Sequence, residues 1–244
     1  MVRWLVQTLG LFTPLVTIIG ILAGGWWTAS TLILALVVYP VLDFLLGDSS
    51  ETDSLEESRA FDFIVHTHGI LVPVVIATLL YQAYFEYNSF IWLAAVSVGL
   101  SSGASGIITA HELGHRRPRS RSWWLSRLDL LCVLYLHFTV EHNHTHHKHW
   151  AKPRDPTSSP WKRNVYVHFI RTIPLQLMGA YRAKPKDFRY SMLVQLTLLV
   201  VLFIISPVLL GVFLLQAIVA IFLLEFVNYL QPVSYTHLTL PTIA

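Results

Sequence analysis

Residues 111–115 read His-Glu-Leu-Gly-His, and residues 141–149 read Glu-His-Asn-His-Thr-His-His-Lys-His. We call these segments the first box and the second box. Seven of the twelve histidines of the chain lie in the two boxes, which stand between long apolar segments. An apolar chain has little reason to group so many imidazoles unless they bind metal, since imidazole is the commonest protein ligand for metal ions. The boxes therefore predict a metal site around which the rest of the sequence is arranged.

The composition of the chain is that of a membrane protein. Of its 244 residues, 54% are hydrophobic and only 13% are charged, which is too apolar for a soluble domain of this length. Cys132 is the single cysteine, so an intrachain disulfide and a cysteine-rich metal site are both excluded. Any metal must therefore be held by histidine and carboxylate side chains.

Six apolar segments approach or exceed the roughly 20 residues that a helix needs to cross the core of a bilayer. They predict an all-α integral membrane protein with about six transmembrane helices. The fourth segment contains the small residues of Ser101–Gly106, and small residues let membrane helices approach one another closely. The predicted spans are residues 4–23, 26–46, 63–85, 89–109, 190–206 and 208–230.

The segments between these spans are predicted to lie outside the bilayer core. The acidic stretch Gly47–Asp62 is expected to form a polar loop. The helix of the fourth span is expected to continue out of the bilayer into the first box. Residues 123–140 are apolar but interrupted by charge, which predicts an interfacial or re-entrant helix. Residues 161–189 are amphipathic and basic.

The basic residues determine the predicted orientation of the chain. Fifteen of the seventeen lysines and arginines lie between Arg116 and Arg189. By the positive-inside rule this region is cytoplasmic. The sequence therefore predicts a multi-pass protein of the inner, or plasma, membrane whose two boxes face the cytoplasm.

The spacing within the boxes predicts five metal ligands. His111 and His115 are four residues apart and share one face of a helix. His142 and His146 share a face in the same way, and His147 is rotated by about 100 degrees from His146, so that it reaches a neighbouring ion. Five imidazoles exceed what one catalytic zinc takes from a protein. They indicate a dinuclear site of borderline metals such as iron.

Other polar residues near the boxes are candidates for a supporting role. Glu112, Glu141 and Asp155 are predicted to orient ligand imidazoles through the second ring nitrogen, and they are equally compatible with solvated charges. His144 is predicted to lie behind the ligands or at the surface. His137, His149 and His168 are assigned in the same way, behind the ligands or at the surface. His66 and His68 are assigned to the membrane interface.

Two further interpretations of the boxes remain open at this point. His-Glu-x-x-His is also the signature of zinc proteases, with Glu112 as the general base. Such a protease needs a third ligand, commonly a distant carboxylate, and does not need the second box. The other interpretation is a cytoplasmic histidine-rich loop that binds no stoichiometric metal.

Taken together, the motifs resemble those of the alkane 1-monooxygenases. These belong to the histidine-rich membrane hydroxylases and desaturases, which contain two non-haem irons. The resemblance covers about residues 1–231, and the Glu-His-Asn and Asn-Tyr contexts favour a hydroxylase over a desaturase. It rests on the first box, Glu-His-Asn-x-x-His-His at 141–147, Pro-x-Asp-Pro at 153–156, Arg171-x-Ile173-Pro174 and Glu-Phe-Val-Asn-Tyr-Leu-Gln at 225–231.

The resemblance implies the terminal hydroxylation of a medium- or long-chain alkane to a 1-alkanol. Dioxygen is the oxidant, one of its atoms becomes water, and the electrons come from rubredoxin or ferredoxin. The implied cofactor is a pair of non-haem iron ions, and no catalytic residue is expected beyond their ligands. Membrane lipids are expected partners and nucleic acid is not. A fatty-acid desaturase, or another lipid hydroxylase of the same superfamily, is the alternative.

The C-terminal part of the sequence departs from this family pattern. In the family the Asn-Tyr stretch runs into His-Tyr-Gly and a later His-x-x-His-His box, whereas Pro232 follows Gln231 here. We expect residues 1–231 to be an incomplete family domain and residues 232–244 to be an unrelated tail, with the helix ending at Pro232. Several ligands would then be missing, so weak metal binding and little or no hydroxylation are expected. An inert membrane fragment is the alternative that this departure raises.

Overall fold

The computed structural model describes residues 8–46, 59–149, 155–159 and 163–238. Within these residues all regular structure is helical. Short 3-10 turns occur at Leu9–Leu11 and Gly25–Ala29, and the middle segments of α2, α4 and α6 below are π-helical turns. The helices are α1 (Phe12–Ala23), α2 (Ser30–Ile33, Leu34–Val38 and Tyr39–Leu46), α3 (Arg59–Phe85), α4 (Ile91–Ser101, Ser102–Gly106 and Ile107–Gly114), α5 (Arg121–Cys132), α6 (Phe138–Glu141, His142–His146 and His147–His149), α7 (Val165–Ala183), α8 (Pro185–Ile205) and α9 (Pro207–Leu238).

Five helices of the described chain are long and apolar enough to cross a membrane. They correspond to the second to sixth predicted spans, so the prediction of an all-α membrane protein is confirmed. The first predicted span, residues 4–23, is represented by α1, which has 12 residues and is shorter than a bilayer core requires. Residues 4–7 of that span lie outside the described part. The five long helices are Gly25–Leu45, Phe61–Phe85, Ile91–Gly114, Pro185–Ile205 and Pro207–Leu230.

The two helices α4 and α9 pack against each other through glycine. A Cβ atom on Gly99 would lie 2.5 Å from the carbonyl oxygen of Gln216, and one on Gly103 would lie 2.9 Å from the Cα atom of Ala220. Backbones approach this closely only where one of them carries no side chain. The small residues of the fourth span therefore serve helix packing, as predicted. The main apolar cluster takes most of its side chains from α3, α4 and α9.

The helix of the fourth span continues into the first box, as predicted, and α5 folds back against it. Ser120 caps α5, because its Oγ accepts a hydrogen bond from the backbone N–H of Trp123 at 3.2 Å. Further along α5, the hydroxyl of Ser126 donates to the carbonyl oxygen of Ala110 at 2.5 Å. With 12 residues, α5 is too short to cross a bilayer. This agrees with the interfacial or re-entrant helix expected there.

The last helix continues past Pro232 and ends at Leu238, so the expectation that the proline ends it is wrong. A proline removes one backbone hydrogen bond and crowds the preceding turn. The bonds on either side still hold a helix of 32 residues. Residues 47–58 of the predicted acidic loop lie outside the described residues, and so do residues 239–244. Residues 59–62 of that loop form the first turn of α3, so the loop prediction is wrong there.

Candidate metal centre

The first box lies at the C-terminal end of α4. His111 and His115 stand one turn apart, so their rings project from the same face of the helix. Nε2 of His115 lies 3.0 Å from Nε2 of His111, and the two ring centroids are 4.6 Å apart. His111 is half-buried and His115 is exposed, so the pair lies at the edge of the helix bundle.

The second box reaches the first through the π-helical turn of α6. Because this turn, His142–His146, closes with bonds between residues five apart, His142 and His147 come onto one face. Nε2 of His142 lies 2.7 Å from Nε2 of His111. The ring centroid of His147 lies 5.2 Å from that of His115. One nitrogen atom from each of these four histidines lies within 4.8 Å of the other three.

The position of His147 in the second box differs from the sequence expectation. The spacing predicted that His142 and His146 share a face and that His147 is rotated by about 100 degrees, so that it reaches a neighbouring ion. In the structure His146 does stack beside His142, with ring centroids 5.0 Å apart, but His147 also groups with His142. The difference arises because the prediction assumed the 3.6 residues per turn of an α-helix, and a π-helical turn is wider.

Asp155 holds the ring of His146. Nδ1 of His146 lies 3.0 Å from Oδ2 of Asp155 and 2.6 Å from Oγ1 of Thr157. Because an ionised carboxylate only accepts hydrogen bonds, Nδ1 carries the proton and the lone pair lies on Nε2. Burial alone would raise the pKa of Asp155, but hydrogen bonds from His146, Ser158 and Thr157 lower it below its ordinary value. Asp155 therefore stays ionised and fixes one tautomer of His146.

His142 and His147 are neutral at pH 7. Burial, followed by repulsion from the neighbouring imidazoles, lowers the pKa of His142 to about 2. Burial and repulsion from His115 and His146 lower the pKa of His147 as well. Phe138 stacks on His142 with ring centroids 4.9 Å apart and covers one face of its ring. Neutral imidazoles keep the nitrogen lone pair that binds a metal ion.

Two of the predicted supporting residues bond elsewhere. Oε1 of Glu112 accepts a hydrogen bond from Arg116 at 3.3 Å, and Arg116 also bonds to Asp62 at 2.7 Å. Nδ1 of His144 bonds to the carbonyl oxygen of Val140 at 3.2 Å, and the His144 side chain is exposed. Neither residue belongs to the group of converging nitrogens found in the described chain. The zinc-protease interpretation requires Glu112 as a free base, and here Glu112 is paired with a cation.

Glu141 is a buried carboxyl group adjacent to His142 in the chain. Neither of its oxygens has a hydrogen-bond partner among the described residues. Burial, together with the nearby Asp155 and Glu225, raises the pKa of Glu141 to about 8. A buried polar group without a partner is unfavourable, and a cation held by the neighbouring histidines would offset that cost. The orphaned carboxyl and the four converging imidazoles fit a bound metal ion.

A buried hydrogen-bond network was missed by the sequence prediction. The hydroxyl of Tyr135 donates to Oε1 of Glu225 at 2.6 Å, and the side-chain amide of Gln176 donates to the same oxygen at 2.9 Å. All three side chains are buried. The signal for this network was available, because an acidic residue inside an apolar span is costly and is retained for a reason.

The histidines outside the boxes do not join the converging group of the described chain. His66 bonds to Ser122 at 2.8 Å, and His68 bonds to Thr109 at 3.0 Å. His137 and His168 are buried, and within the described residues their ring nitrogens have no hydrogen-bond partner. The prediction allowed these last two histidines a surface position, and that alternative is wrong.

Comparison with known proteins identifies relatives that are named for an activity. A family model described as fatty acid desaturase matches residues 88–236, which include both boxes. The chain is 31% identical over 192 residues to alkane 1-monooxygenase 1 of Alcanivorax borkumensis, covering 73% of this chain and 45% of that protein. It is 30% identical over 234 residues to alkane 1-monooxygenase 1 of Pseudomonas aeruginosa, covering 85% and 60%. The chain spans about half the length of the curated relatives it matches.

Proposed function

Because the chain belongs to the fatty acid desaturase family, we propose that it acts as a membrane alkane hydroxylase. Its reaction would convert a medium- or long-chain alkane, dioxygen and the two electrons and two protons of a reduced donor system to a 1-alkanol and water. The observation that carries the proposal is the convergence of imidazole nitrogens from His111, His115, His142 and His147 within 4.8 Å of one another. The relatives are named alkane 1-monooxygenases, and these names supply the substrate class.

The proposed cofactor is a pair of non-haem iron ions. Imidazole is a ligand that suits iron, and Asp155 leaves the Nε2 lone pair of His146 available. When bound, the irons supply the activation of dioxygen that an unactivated terminal C–H bond requires. The residues that would hold them are His111, His115, His142, His146 and His147.

The chain itself would position the ligands and exclude water. The π-helical turn brings His142 and His147 to the first box, and Phe138 covers the ring of His142. Asp155 keeps His146 in one tautomer. The long helices present large apolar side chains on their outer faces, so a linear hydrocarbon would reach the protein from the bilayer itself. No residue beyond the metal ligands is proposed to be catalytic.

The proposed setting is the inner, or plasma, membrane with both boxes on the cytoplasmic side. Its support is the concentration of fifteen of the seventeen basic residues between Arg116 and Arg189. Electrons would come from rubredoxin or ferredoxin. We call the surface formed by these basic residues, between Arg116 and Arg189, the basic face. It would attract an acidic electron carrier and raise its rate of encounter with the protein.

Metal content and product analysis of the full chain test this proposal. The protein is purified in detergent, loaded with ferrous iron without oxygen, and analysed for bound iron. We expect iron to bind and His142→Ala to lose it. His144→Ala, which changes an exposed histidine of the same turn, should keep it. A preference for zinc over iron, or full iron binding by His142→Ala, would contradict the proposal.

A fatty-acid desaturase or another lipid hydroxylase is the second candidate, since the matching family model carries the desaturase description. The two activities share the histidine cluster and differ in their products. Octane or hexadecane, dioxygen and a reduced donor are supplied to the iron-loaded protein, and the products are separated by gas chromatography. A primary alcohol as the product supports the alkane hydroxylase. An alkene, or oxidation of acyl chains alone, supports the second candidate.

A further inference from the structure

A cavity of about 740 Å³ lies beside the histidine cluster. His115 and four residues of α6, among them Asn143, border it, and the other walls come from the loop after α4, from α5 and from the start of α8. Four cationic side chains line it: Arg116, Arg119, Arg127 and Lys184. Among the described lining residues the only carboxylate is Asp187. The cavity therefore presents an excess of positive charge.

Two of the four cations are compensated by the protein and two are not. Arg116 is paired with carboxylates on α3 and α4. Arg127 is held by a hydrogen bond to α8 and by the charge of Asp187. Arg119 and Lys184 are exposed, and within the described residues their side chains form no hydrogen bond or ion pair. These two cations are available to an anionic ligand.

The cavity lies at the level where the membrane helices end. The candidate span of α4 ends at Gly114, which borders the cavity, and that of α8 begins at Pro185, next to Lys184. Trp123 and Trp124 also line the cavity, and Trp124 is 55% exposed. Tryptophan is enriched at the depth of the lipid headgroups. A ligand of this cavity would therefore lie at headgroup depth.

The backbone of the loop after α4 holds Arg119 in an unusual conformation. Its φ angle is 64°, in the left-handed region that non-glycine residues rarely adopt and that is found preferentially at functional sites. The loop thus fixes this arginine beside the cavity in spite of the strain.

From these observations we propose that the cavity binds the headgroup of an anionic phospholipid, with its phosphate held by Arg119 and Lys184. Basic pockets between membrane helices at this depth suit such a phosphate. The volume of the cavity falls within the range of small-molecule sites, whereas an acidic protein would contact an extended outer surface. A bound headgroup would lie against His115 and Asn143 and would shield that side of the histidine cluster from water.

Lipid titration of matched double variants tests the proposal. The full chain, freed of lipid in detergent, is titrated with short-chain phosphatidylglycerol, phosphatidylcholine or inorganic phosphate. Arg119→Gln/Lys184→Gln removes the two free cations of the cavity. Arg117→Gln/Arg182→Gln removes two exposed cations that do not line it. Both variants change the net charge equally, so a difference in lipid affinity between them shows the contribution of the cavity.

We expect saturable binding of phosphatidylglycerol that is roughly 30-fold weaker in the cavity variant and unchanged in the control variant, since each basic residue contributes on the order of 1 kcal/mol near an anionic lipid. Phosphatidylcholine and inorganic phosphate should bind more weakly. Equal loss in both variants would overturn the proposal. So would equal binding of inorganic phosphate. If the cavity variant keeps lipid binding but loses reduction by an electron-carrier protein, the cavity is a protein docking site and the lipid proposal is wrong.

Discussion

Oδ2 of Asp155 lies 3.0 Å from Nδ1 of His146, and the carboxylate is completely shielded from solvent. The two residues are nine positions apart, and the Thr157 hydroxyl bonds to both of them. Because the carboxylate takes the proton-bearing nitrogen, the opposite nitrogen of His146 is the one left for a metal. Asp155 thus determines the tautomer of His146, a histidine that does not belong to the converging group of four.

Replacing Asp155 with asparagine keeps the shape of the side chain and removes its charge. Nδ1 of His146 then loses its anionic acceptor, so we expect the affinity for iron to fall about 10- to 100-fold. The affinity is measured by competition with a chelator under anaerobic conditions. Asp43→Asn, which changes an exposed carboxylate on α2, is the control. Equal affinities of Asp155→Asn and the unchanged protein would exclude the proposed role.

His111 and His147 lie in one converging group, so their substitutions should not act independently. Each alanine variant alone is expected to release iron, and the double variant should lose little more, because residues that share one ligand group are not additive. Iron per chain is measured for both single variants and for the double variant. Losses that simply add would show that the two histidines serve separate sites.

The close approach of α4 and α9 predicts that Gly99 tolerates no side chain. In Gly99→Ala the new Cβ atom meets the backbone carbonyl of Gln216, so the helices must separate. The expected loss of unfolding free energy is about 1–3 kcal/mol, measured by denaturation in mixed micelles. Gly10→Ala is the matched control, because a Cβ atom there would meet no neighbour within 4 Å. Equal stability of the two variants would contradict the packing.

Removing the hydroxyl of Tyr135 should destabilise the buried network. Tyr135→Phe leaves Glu225 without its shortest hydrogen bond, at 2.6 Å, and a buried acceptor that loses its donor costs about 1–3 kcal/mol. The free energy of unfolding is measured as for Gly99. Tyr84→Phe, at a position 54% exposed, should change it by less than about 0.5 kcal/mol. A Tyr135→Phe variant as stable as the control would show that the network contributes nothing.

Salt should slow the transfer of electrons from a carrier protein. The basic face would attract an acidic carrier, and mobile ions screen that attraction over about 8 Å at physiological ionic strength. We expect the rate of reduction by rubredoxin or ferredoxin to fall as salt is raised. Reduction by a small chemical reductant should change much less and serves as the control. A rate of reduction by the carrier protein that does not change with ionic strength would exclude electrostatic docking.

The sequence by itself determined the class of fold and half of the site. The membrane helices within residues 25–230 could be located from the sequence, because span length and hydropathy are local properties. The pairing of His111 with His115 was also predictable, since four residues nearly complete one turn of any α-helix. The small residues of Ser101–Gly106 likewise indicated close helix packing before any partner helix was known.

Only the tertiary structure decided how the second box is used. The pairing of His142 with His147 depends on a π-helical turn, which the periodicity of a sequence does not reveal. The Tyr135–Glu225 hydrogen bond joins residues 90 positions apart, and it forms because the packing of the helices brings them together. Local patterns specify local geometry, whereas contacts between distant segments depend on how all the helices pack at once.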